Sequence, residues 1–155
     1  QALGEDDKKY RESQIQTNFT SVVAWMEASV QHFALHDKGN MVVLGSVAGD
    51  RGRMSNYIYG TCKAAVEVYT EGLQHRFGKN KDINILLVKP GFVDTPMTAN
   101  ITKKGFLWAK SDKIADDVVC AIKRKKRVIY TPWFWFWIML IIRNLPAVIF
   151  EKTRL

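Results

Sequence analysis

The chain of 155 residues is 47% hydrophobic and 25% charged, which is typical of one folded domain and excludes a disordered segment. Its two cysteines, Cys62 and Cys120, fit neither a disulfide framework nor the ligand spacing of a metal site. We therefore predict no metal centre and expect both thiols to be buried, in a reducing compartment. The polar start of the chain lacks the apolar stretch of a secretory signal peptide.

Positive charge is concentrated in the last part of the chain. Residues 1–95 hold 11 basic and 11 acidic side chains, whereas residues 96–155 hold 12 basic and 4 acidic ones, and the net charge is +8. This asymmetry indicates an anionic partner, either nucleic acid or a membrane surface, or else a solubilising surface. The basic run 123–127 ends a predicted helix, where cations are favoured anyway, so we predict no nucleic-acid partner.

The first predicted element is a helix from Tyr10 to about His36, because its apolar residues recur at helical spacing. Gly39 is suited to the C-terminus of this helix. The continuous apolar run Met41–Leu44 then predicts a strand buried on both faces. A loop rich in glycine, serine and arginine follows over residues 45–55.

The middle of the chain repeats this order of helix and strand. A second helix is predicted over residues 56–76 and ended by Gly78. Residues 83–88 predict another buried strand, which Pro90 and Gly91 stop. Residues 92–110 have no clear periodicity and are expected to be irregular.

A third unit of helix and strand follows. Ser111 is a candidate N-cap for a helix that ends in the basic run from Lys123, and residues 128–130 predict a short strand. Helices that alternate with buried strands predict an α/β fold, namely a parallel sheet covered by helices on both faces.

The last segment differs from the rest because residues 132–142 are apolar without interruption, with many tryptophan and phenylalanine side chains. Eleven residues are too few to cross a bilayer, which requires about 20. Aromatic residues flanked by lysine and arginine suit a segment that lies in a lipid interface. The alternative is a helix buried against a partner subunit. We treat residues 132–155 as an extension of a domain that covers residues 1–131.

Several polar residues follow the predicted strands, at the sheet edge where doubly wound folds bind ligands. Ser46 stands just after the first strand, and Pro90–Thr95 follows the second. Tyr59 and Lys63 are four residues apart at the start of the intervening helix, so they share one face. A neighbouring ammonium group lowers the pKa of a tyrosine hydroxyl, and a serine hydroxyl can hold a carbonyl oxygen. This combination of residues can move a proton.

These residues resemble the motifs of the short-chain dehydrogenase/reductase family. The pair Tyr59 and Lys63 resembles the family's Tyr-x-x-x-Lys motif, with Ser46 at the usual 13 residues before the tyrosine. Asn18 matches the asparagine that completes the family's tetrad. The segment Pro90–Thr95 resembles the family's Pro-Gly-x-Val-x-Thr segment. The resemblance covers residues 10–130.

The resemblance implies a nicotinamide cofactor, NAD(P)H, and a role for each matching residue. Tyr59 would be the general acid of ketone reduction, Lys63 would lower its pKa and bind the nicotinamide ribose, and Ser46 would orient the carbonyl. Asn18 would support a proton relay through water. The cofactor contacts would come from Tyr59, Lys63, Pro90, Gly91, Val93 and Thr95. Relatives pair through helices that match residues 10–36 and 56–76, so a homo-oligomer is expected.

One feature of the family does not occur in this sequence. The family opens with a strand and a glycine-rich turn that seats the cofactor pyrophosphate on a helix N-terminus, and no such turn is present here. We therefore expect residues 1–131 to be the C-terminal half of a Rossmann-type doubly wound domain from a longer protein. The residue that distinguishes NAD from NADP would lie in the other half.

The aromatic extension suggests a substrate class. It resembles, together with residues 56–60 and 89–97, the family's reductases that act on decaprenylphosphoryl-2-keto-ribose. A polyprenyl phosphate substrate would account for both the aromatic tail and the positive charge, and it predicts a place on the cytoplasmic face of the membrane. Reductases of ketosteroids, 3-ketosphinganine or acyl chains would account for the same tail. So would a membrane-associated binding protein that keeps only the fold.

Overall fold

The fold was examined in a computed structural model, which describes residues 7–98 and 105–153. The predicted α/β architecture is confirmed, because parallel strands form a sheet with helices packed on both of its faces. The element bounds, in chain order, are α1 (Lys8–Ile15), a π-helical turn (Gln16–Thr20), α2 (Ser21–His36), β1 (Gly39–Leu44), a 3-10 turn (Val47–Gly49), α3 (Tyr57–Arg76), β2 (Ile83–Pro90), β3 (Phe92–Asp94), 3-10 turns (Pro96–Thr98 and Gly105–Leu107), β4 (Trp108–Lys110), α4 (Ser111–Lys123), β5 (Val128–Thr131), α5 (Trp135–Asn144) and α6 (Ala147–Phe150).

The main sheet has the strand order β1–β2–β5, and both of its pairings are parallel. The central strand β2 is buried on both faces, as its continuous apolar sequence predicts. Ile83, Ile85 and Leu87 face α2 and α3, whereas Leu86 and Val88 face α4. This alternation gives the sheet two apolar layers and leaves its carboxyl edge for polar side chains.

Within the described residues, β1 forms one edge of the sheet. Met41 and Val43 point into the core, but Val42 and Leu44 on the opposite face are exposed. Trp25 of α2 is exposed beside them and lines a shallow groove along the strand. The strand is therefore covered on one face only.

Three predictions about the helix ends and the thiols were wrong. The left-handed residue after α2 is Asp37, at φ 53°, while Gly39 begins β1. Lys110 rather than Ser111 occupies the N-cap of α4. Cys62 is buried as expected, but Cys120 is exposed, because it lies on the outer side of α4.

The strands also extend further than predicted. Strand β2 continues through Lys89 to Pro90, because both residues still pair with β5. Residues 92–110 are not wholly irregular, since β3 and β4 within them form a small parallel sheet of their own. Phe92 and Trp108 stack across this sheet with ring centroids 5.1 Å apart.

The aromatic tail packs partly onto the domain. Trp135 and Met139 of α5 are only 5% and 2% exposed and share a cluster with Val47, the residue after Ser46. On the outer side of the tail, Trp133 and Ile141 are 71% and 65% exposed. None of the helices in the described part of the chain is long and apolar enough to cross a membrane.

Candidate active site

The loop after β1 lies directly against α3, and two glycines permit this approach. A Cβ atom on Gly49 would stand 2.9 Å from the backbone nitrogen of Ala64, and one on Gly60 would stand 2.9 Å from the carbonyl oxygen of Ala48. Both distances are shorter than a van der Waals contact. Any larger residue would therefore push the Ser46 loop away from the helix that carries Tyr59.

Ser46 and Tyr59 are brought together by this packing. The Ser46 backbone is extended, with φ −168° and ψ 151°, and its hydroxyl accepts a hydrogen bond of 3.1 Å from the Ala48 N–H. The same hydroxyl forms a hydrogen bond with the Tyr59 hydroxyl. Burial raises the pKa of Tyr59, and this hydrogen bond partly opposes that rise. The serine and the tyrosine can consequently contact one carbonyl oxygen from two sides.

Lys63 lies one turn further along α3. Its Nζ is 5.6 Å from the centroid of the Tyr59 ring and donates a hydrogen bond of 3.0 Å to the Leu44 carbonyl. No carboxylate forms an ion pair with Lys63 within residues 7–98 and 105–153. Burial lowers the pKa of Lys63, because an ammonium group loses hydration there.

The pKa of Tyr59 is raised, chiefly by burial, which disfavours the tyrosinate. The Ser46 hydroxyl and the positive charge of Arg53 act in the opposite direction. Lys63 is not among the groups that shift this pKa in the described structure, where its ammonium is turned toward the Leu44 carbonyl. That Lys63 lowers the pKa of Tyr59 stays a prediction. Arg53 was not predicted as a site residue. In the sequence, only its position six residues before Tyr59 indicates that it lies near the site.

Asn18 occupies the middle of the π-helical turn between α1 and α2. Such turns are rare and occur frequently at functional sites. Its side-chain amide donates to the carbonyl of Gln14 at 3.2 Å and to the side-chain oxygen of Gln14 at 3.0 Å. The Gln14 carbonyl also lies 3.9 Å from the Cys62 sulfur on α3. Asn18 is thus held beside α3, but its amide is not directed at Tyr59 or Lys63.

The segment Pro90–Thr95 leaves β2 at the same edge of the sheet. The Gly91 N–H donates to the Thr131 carbonyl at 3.1 Å, and Val93 pairs with Ala109 in the small sheet. The backbone N–H of Thr95 donates to the Thr98 hydroxyl at 3.1 Å. These bonds fix the backbone of the segment, and Phe92 within it packs in the same cluster as Val47, the residue after Ser46.

Trp135 of the tail covers this segment. A Cβ atom on Gly91 would overlap the Trp135 indole, so only glycine allows the contact. The Trp135 ring also meets the edge of Phe92, with ring centroids 5.4 Å apart. Its indole N–H is buried without a hydrogen-bond partner. The tail therefore forms a wall of the candidate site, which the sequence did not reveal.

Arg51 fastens the tail to the Ser46 loop. Its Nη1 donates to the carbonyl oxygens of Ile142 and Leu145 at 2.5 and 2.6 Å and to that of Arg143 at 3.3 Å. Its guanidinium also lies 3.9 Å from the centroid of the Phe150 ring. These carbonyls belong to the C-terminal end of α5, where a cation is electrostatically favoured.

A buried charge network lies under the same loop. Lys89 is 1% exposed and forms ion pairs with Asp50 and Glu67. The Tyr130 hydroxyl donates to the second oxygen of Asp50 at 3.0 Å. Although burial alone would lower the pKa of Lys89, the two carboxylates raise it above its ordinary value. We call Lys89, Asp50, Glu67 and Tyr130 the Lys89 network.

Comparison with protein families gives a match to the model described as short chain dehydrogenase, over residues 2–105. An uncharacterised oxidoreductase of Mycobacterium tuberculosis is 28% identical over 152 residues, which cover 98% of this chain and 60% of the relative. An uncharacterised oxidoreductase of Staphylococcus epidermidis is 26% identical over 117 residues, which cover 76% and 50% of the two chains. The chain thus spans only 50–60% of the length of these curated relatives.

Two solved structures illustrate the similarity of fold. A short-chain dehydrogenase from Sphingobium yanoikuyae in complex with NADPH has a TM-score of 0.75 and 21% identity, covering 91% of this chain and 59% of its own. The bulky-bulky ketone specific alcohol dehydrogenase from Comamonas testosteroni has a TM-score of 0.71 and 22% identity, covering 96% and 56%.

Proposed function

Because the chain belongs to the short chain dehydrogenase family, we propose that it carries the catalytic residues of a nicotinamide-dependent reductase that converts a ketone to a secondary alcohol. The convergence of Ser46, Tyr59 and Lys63 at the carboxyl edge of the sheet supports this proposal most directly. A protein that only bound a ligand would have no need of a buried tyrosine hydroxyl beside a serine and an unpaired lysine.

The residues at the site fit a nicotinamide cofactor, NADH or NADPH. Lys63 has free N–H donors, since its Nζ is bonded only to the Leu44 carbonyl within the described structure, and these donors suit the hydroxyls of the nicotinamide ribose. Pro90, Gly91, Val93 and Thr95 offer a fixed backbone next to it. Several relatives of known structure are described as complexes with NADP, NADPH or NADH. When bound, the cofactor supplies the hydride.

The chain's own residues supply and direct the proton. The Ser46 hydroxyl holds the ketone oxygen, and Tyr59 transfers its hydroxyl proton to that oxygen as the carbonyl carbon accepts the hydride. Burial keeps the pKa of Tyr59 above its ordinary value, so the hydroxyl is protonated at neutral pH, as an acid must be. Asn18 lies on the neighbouring helix as the residue for a proton relay through water.

The proposed substrate is a lipid-linked keto-sugar, such as decaprenylphosphoryl-2-keto-ribose. The outer side of the tail supports this class. It exposes four large apolar side chains, namely Trp133, Trp137, Leu140 and Ile141, and an exposed apolar patch is usually a binding surface. Basic residues flank the tail, as suits an anionic surface. The protein would accordingly associate with the cytoplasmic face of a membrane.

The proposal also includes a homo-oligomer that pairs through the helices over residues 10–36 and 56–76. Val68 on α3 and Leu35 on α2 are large apolar side chains that lie exposed on these helices. A second copy of the same helices would cover them in a closed symmetric contact. Light scattering on the full-length protein should give at least twice the mass of one chain, and Val68→Glu should reduce it.

Replacement of Tyr59 tests the reductase function. In the full-length protein, Tyr59→Phe keeps the ring but removes the transferable proton, so we expect turnover to fall by about 10²- to 10⁴-fold. Tyr69→Phe is the matched control, because it removes another hydroxyl from the same helix, one that is bonded to Glu27. Equal rates for the two variants would remove Tyr59 from the mechanism and with it the proposed function.

Replacement of exposed tail residues tests the lipid-linked substrate. The double substitution Trp137→Ser and Ile141→Ser leaves the buried Trp135 and Met139 in place. We expect it to weaken co-sedimentation with anionic liposomes at least about tenfold, because each large apolar side chain contributes roughly 1.5–3 kcal/mol when fully buried. Reduction of a polyprenyl-linked ketone should slow, while that of a short soluble ketone should not.

The control for this experiment is Val119→Ser, which removes an exposed apolar side chain from α4, outside the tail and outside the proposed subunit contact. It should leave liposome binding unchanged. If the tail variant binds liposomes as well as the control does, the tail is a subunit or folding contact and the lipid-linked substrate is excluded. The reductase function would stand in that case, since its test is the separate Tyr59 variant.

A further inference from the structure

Two arginines in the loop between Ser46 and Tyr59 have opposite surroundings. Arg51 is fully engaged, because it donates to the carbonyl oxygens at the end of α5. Arg53, only two residues later, has a buried Nε without a hydrogen-bond partner. Among the residues that the structure describes, no carboxylate pairs with Arg53. Arg53 is half-buried, and its inner N–H donor faces no group of opposite charge among the described residues.

Arg53 is not alone in lacking a partner. The side-chain oxygen of Asn56 and the indole N–H of Trp135 are also buried and unbonded. These three groups lie at the carboxyl edge of the sheet: Arg53 and Asn56 in the segment that leads to Tyr59, and Trp135 over Gly91. The one further case among the described residues, the amide nitrogen of Asn84, lies near the start of β2 at the other edge. Buried polar groups in proteins are nearly always bonded. The Arg53 and Trp135 groups are donors and the Asn56 oxygen is an acceptor, so the three together indicate a ligand that carries both acceptor oxygens and a hydroxyl group.

The guanidinium group specifies the chemistry of that ligand. Arginine offers a planar fork of N–H donors that matches the oxygens of a phosphate or carboxylate group. The Arg53 carbonyl accepts a hydrogen bond of 3.2 Å from the N–H of Asn56, the residue that precedes α3, so Arg53 lies at the start of the helix that carries Tyr59. Although burial raises the pKa of Tyr59, the charge of Arg53 acts in the opposite direction. An anionic group bound by Arg53 would therefore lie next to the carbonyl that Ser46 and Tyr59 hold.

We propose that Arg53 is a specificity-determining residue, whose guanidinium binds a phosphate group that the ketone substrate carries close to its reacting carbonyl. This inference rests on the proposed function. It adds that the site discriminates among ketones by charge, and that a phosphate is recognised within the site itself. The outer side of the tail, in contrast, would recognise only the lipid portion.

The test compares dihydroxyacetone phosphate with dihydroxyacetone, which differ only in the phosphate group. With saturating cofactor, the full-length parent should have a kcat/KM at least about tenfold higher for the phosphate, as a charge-assisted hydrogen bond implies. Arg53→Met should remove this preference, because it should raise the KM for the phosphate ester far more than the KM for the neutral ketone. Arg53→Lys should retain part of it, because the charge remains but the fork is lost. Glycolate and pyruvate, which carry a carboxylate, should compete less well than inorganic phosphate.

Arg124→Met is the control, since it removes an exposed guanidinium at the C-terminal end of α4, away from the edge of the sheet that carries the site. It should keep the preference for the phosphate. The proposal is overturned if Arg53→Met slows the reduction of both ketones equally, because Arg53 would then act only on the Tyr59 hydroxyl. It is overturned as well if the variant raises only the KM of the cofactor. It is also overturned if Arg53→Met changes neither substrate.

Failure of this proposal is distinguishable from failure of the proposed function. Loss of turnover in Tyr59→Phe with the neutral ketone establishes the reductase independently of Arg53. If that variant remains active, the proposed function fails whatever Arg53 binds. Arg53 makes no ion pair in the described structure, so Arg53→Met should fold, and a circular dichroism melt identical to the parent's confirms that the kinetic comparison is valid.

Discussion

Two clusters of polar side chains lie on either side of the same loop, one built on a buried lysine and one half-buried, and they differ in how their charges are satisfied. In the Lys89 network, the cation has two carboxylate partners, and one of these also accepts a tyrosine hydroxyl. In the cluster of Ser46, Tyr59, Lys63 and Arg53, neither cation has a carboxylate partner within the described residues. The first cluster is complete without a ligand, whereas the second is not.

The comparison indicates how a structural cluster can be distinguished from a functional one in the same fold. The Lys89 network joins the loop after β1, helix α3 and strand β2, so it fixes the elements that carry the site. The second cluster lies where these elements meet. It contains an N–H donor of Arg53 without a partner, and the pKa values of Tyr59 and Lys63 are shifted by burial. Charges that the protein leaves unpaired are those available to a substrate or cofactor.

The largest effect is expected for the Lys89 network. Lys89→Met leaves Asp50 and Glu67 without their cation, and removal of one partner from a buried ion pair typically costs about 3–5 kcal/mol of unfolding free energy. Urea denaturation of the full-length protein measures this loss. Lys113→Met is the control, because Lys113 pairs with Asp117 on the exposed side of α4 and should hardly matter. Equal losses in the two variants would contradict a structural role for the network.

A second substitution should reverse this pattern. Lys63→Met removes a buried cation that has no carboxylate partner, so relief of desolvation offsets the lost hydrogen bond to Leu44. We expect the unfolding free energy to stay within about 1 kcal/mol of the parent value, while turnover falls by about 10- to 100-fold. If Lys63→Met is as destabilising as Lys89→Met, the distinction between the two clusters is wrong.

The smallest effect concerns pH. Alcohol oxidation, the reverse reaction, requires the tyrosinate form of Tyr59, so its rate rises with pH through the pKa of that residue. Arg53 favours the charged form and lowers this pKa, so Arg53→Met should move the rise to higher pH. Rates measured across pH with a neutral alcohol check the direction, with Arg124→Met at the end of α4 as the variant that should not move it. A shift to lower pH would contradict the assigned position of Arg53.

The sequence predicts the order of elements and the neighbourhood of Ser46 and Tyr59, because both depend on local patterns. Continuous apolar runs identify β1 and β2, and parallel strands place the residues that follow them at one edge. The spacing of Tyr59 and Lys63 is fixed by the helix itself. The placement of these residues could therefore be expected before any contact was seen, although their roles remain to be tested.

The Lys89 network could not be predicted in this way. Lys89 pairs with residues that are 39 and 22 positions distant in the sequence, and nothing local links them. The only signal was a lysine that continues an otherwise apolar strand. A charge in that position is buried only if the fold supplies an anion, and that depends on how the loop after β1 is folded.

The packing of the tail was hidden for a different reason. Helix α5 is apolar on all sides, so its sequence does not distinguish the stripe of Trp135 and Met139, which covers the site, from the stripe of Trp137 and Ile141, which is exposed. The contact of Arg51 with the end of the helix decides the orientation. An amphipathic pattern would have revealed it, and this sequence has none.

The position of Asn18 depends on the number of residues in the π-helical turn at Gln16–Thr20. Its backbone bonds span five residues, as the bond from Ser21 to Gln16 illustrates, so it holds one residue more than a regular turn. The wider turn absorbs this extra residue locally, so the flanking helices keep their directions. Deletion of Thr17 would restore a continuous α-helix but would bring Asn18 one position closer to Gln14. The Asn18 amide would then lose the spacing at which it bonds Gln14, with every side chain of the site still present.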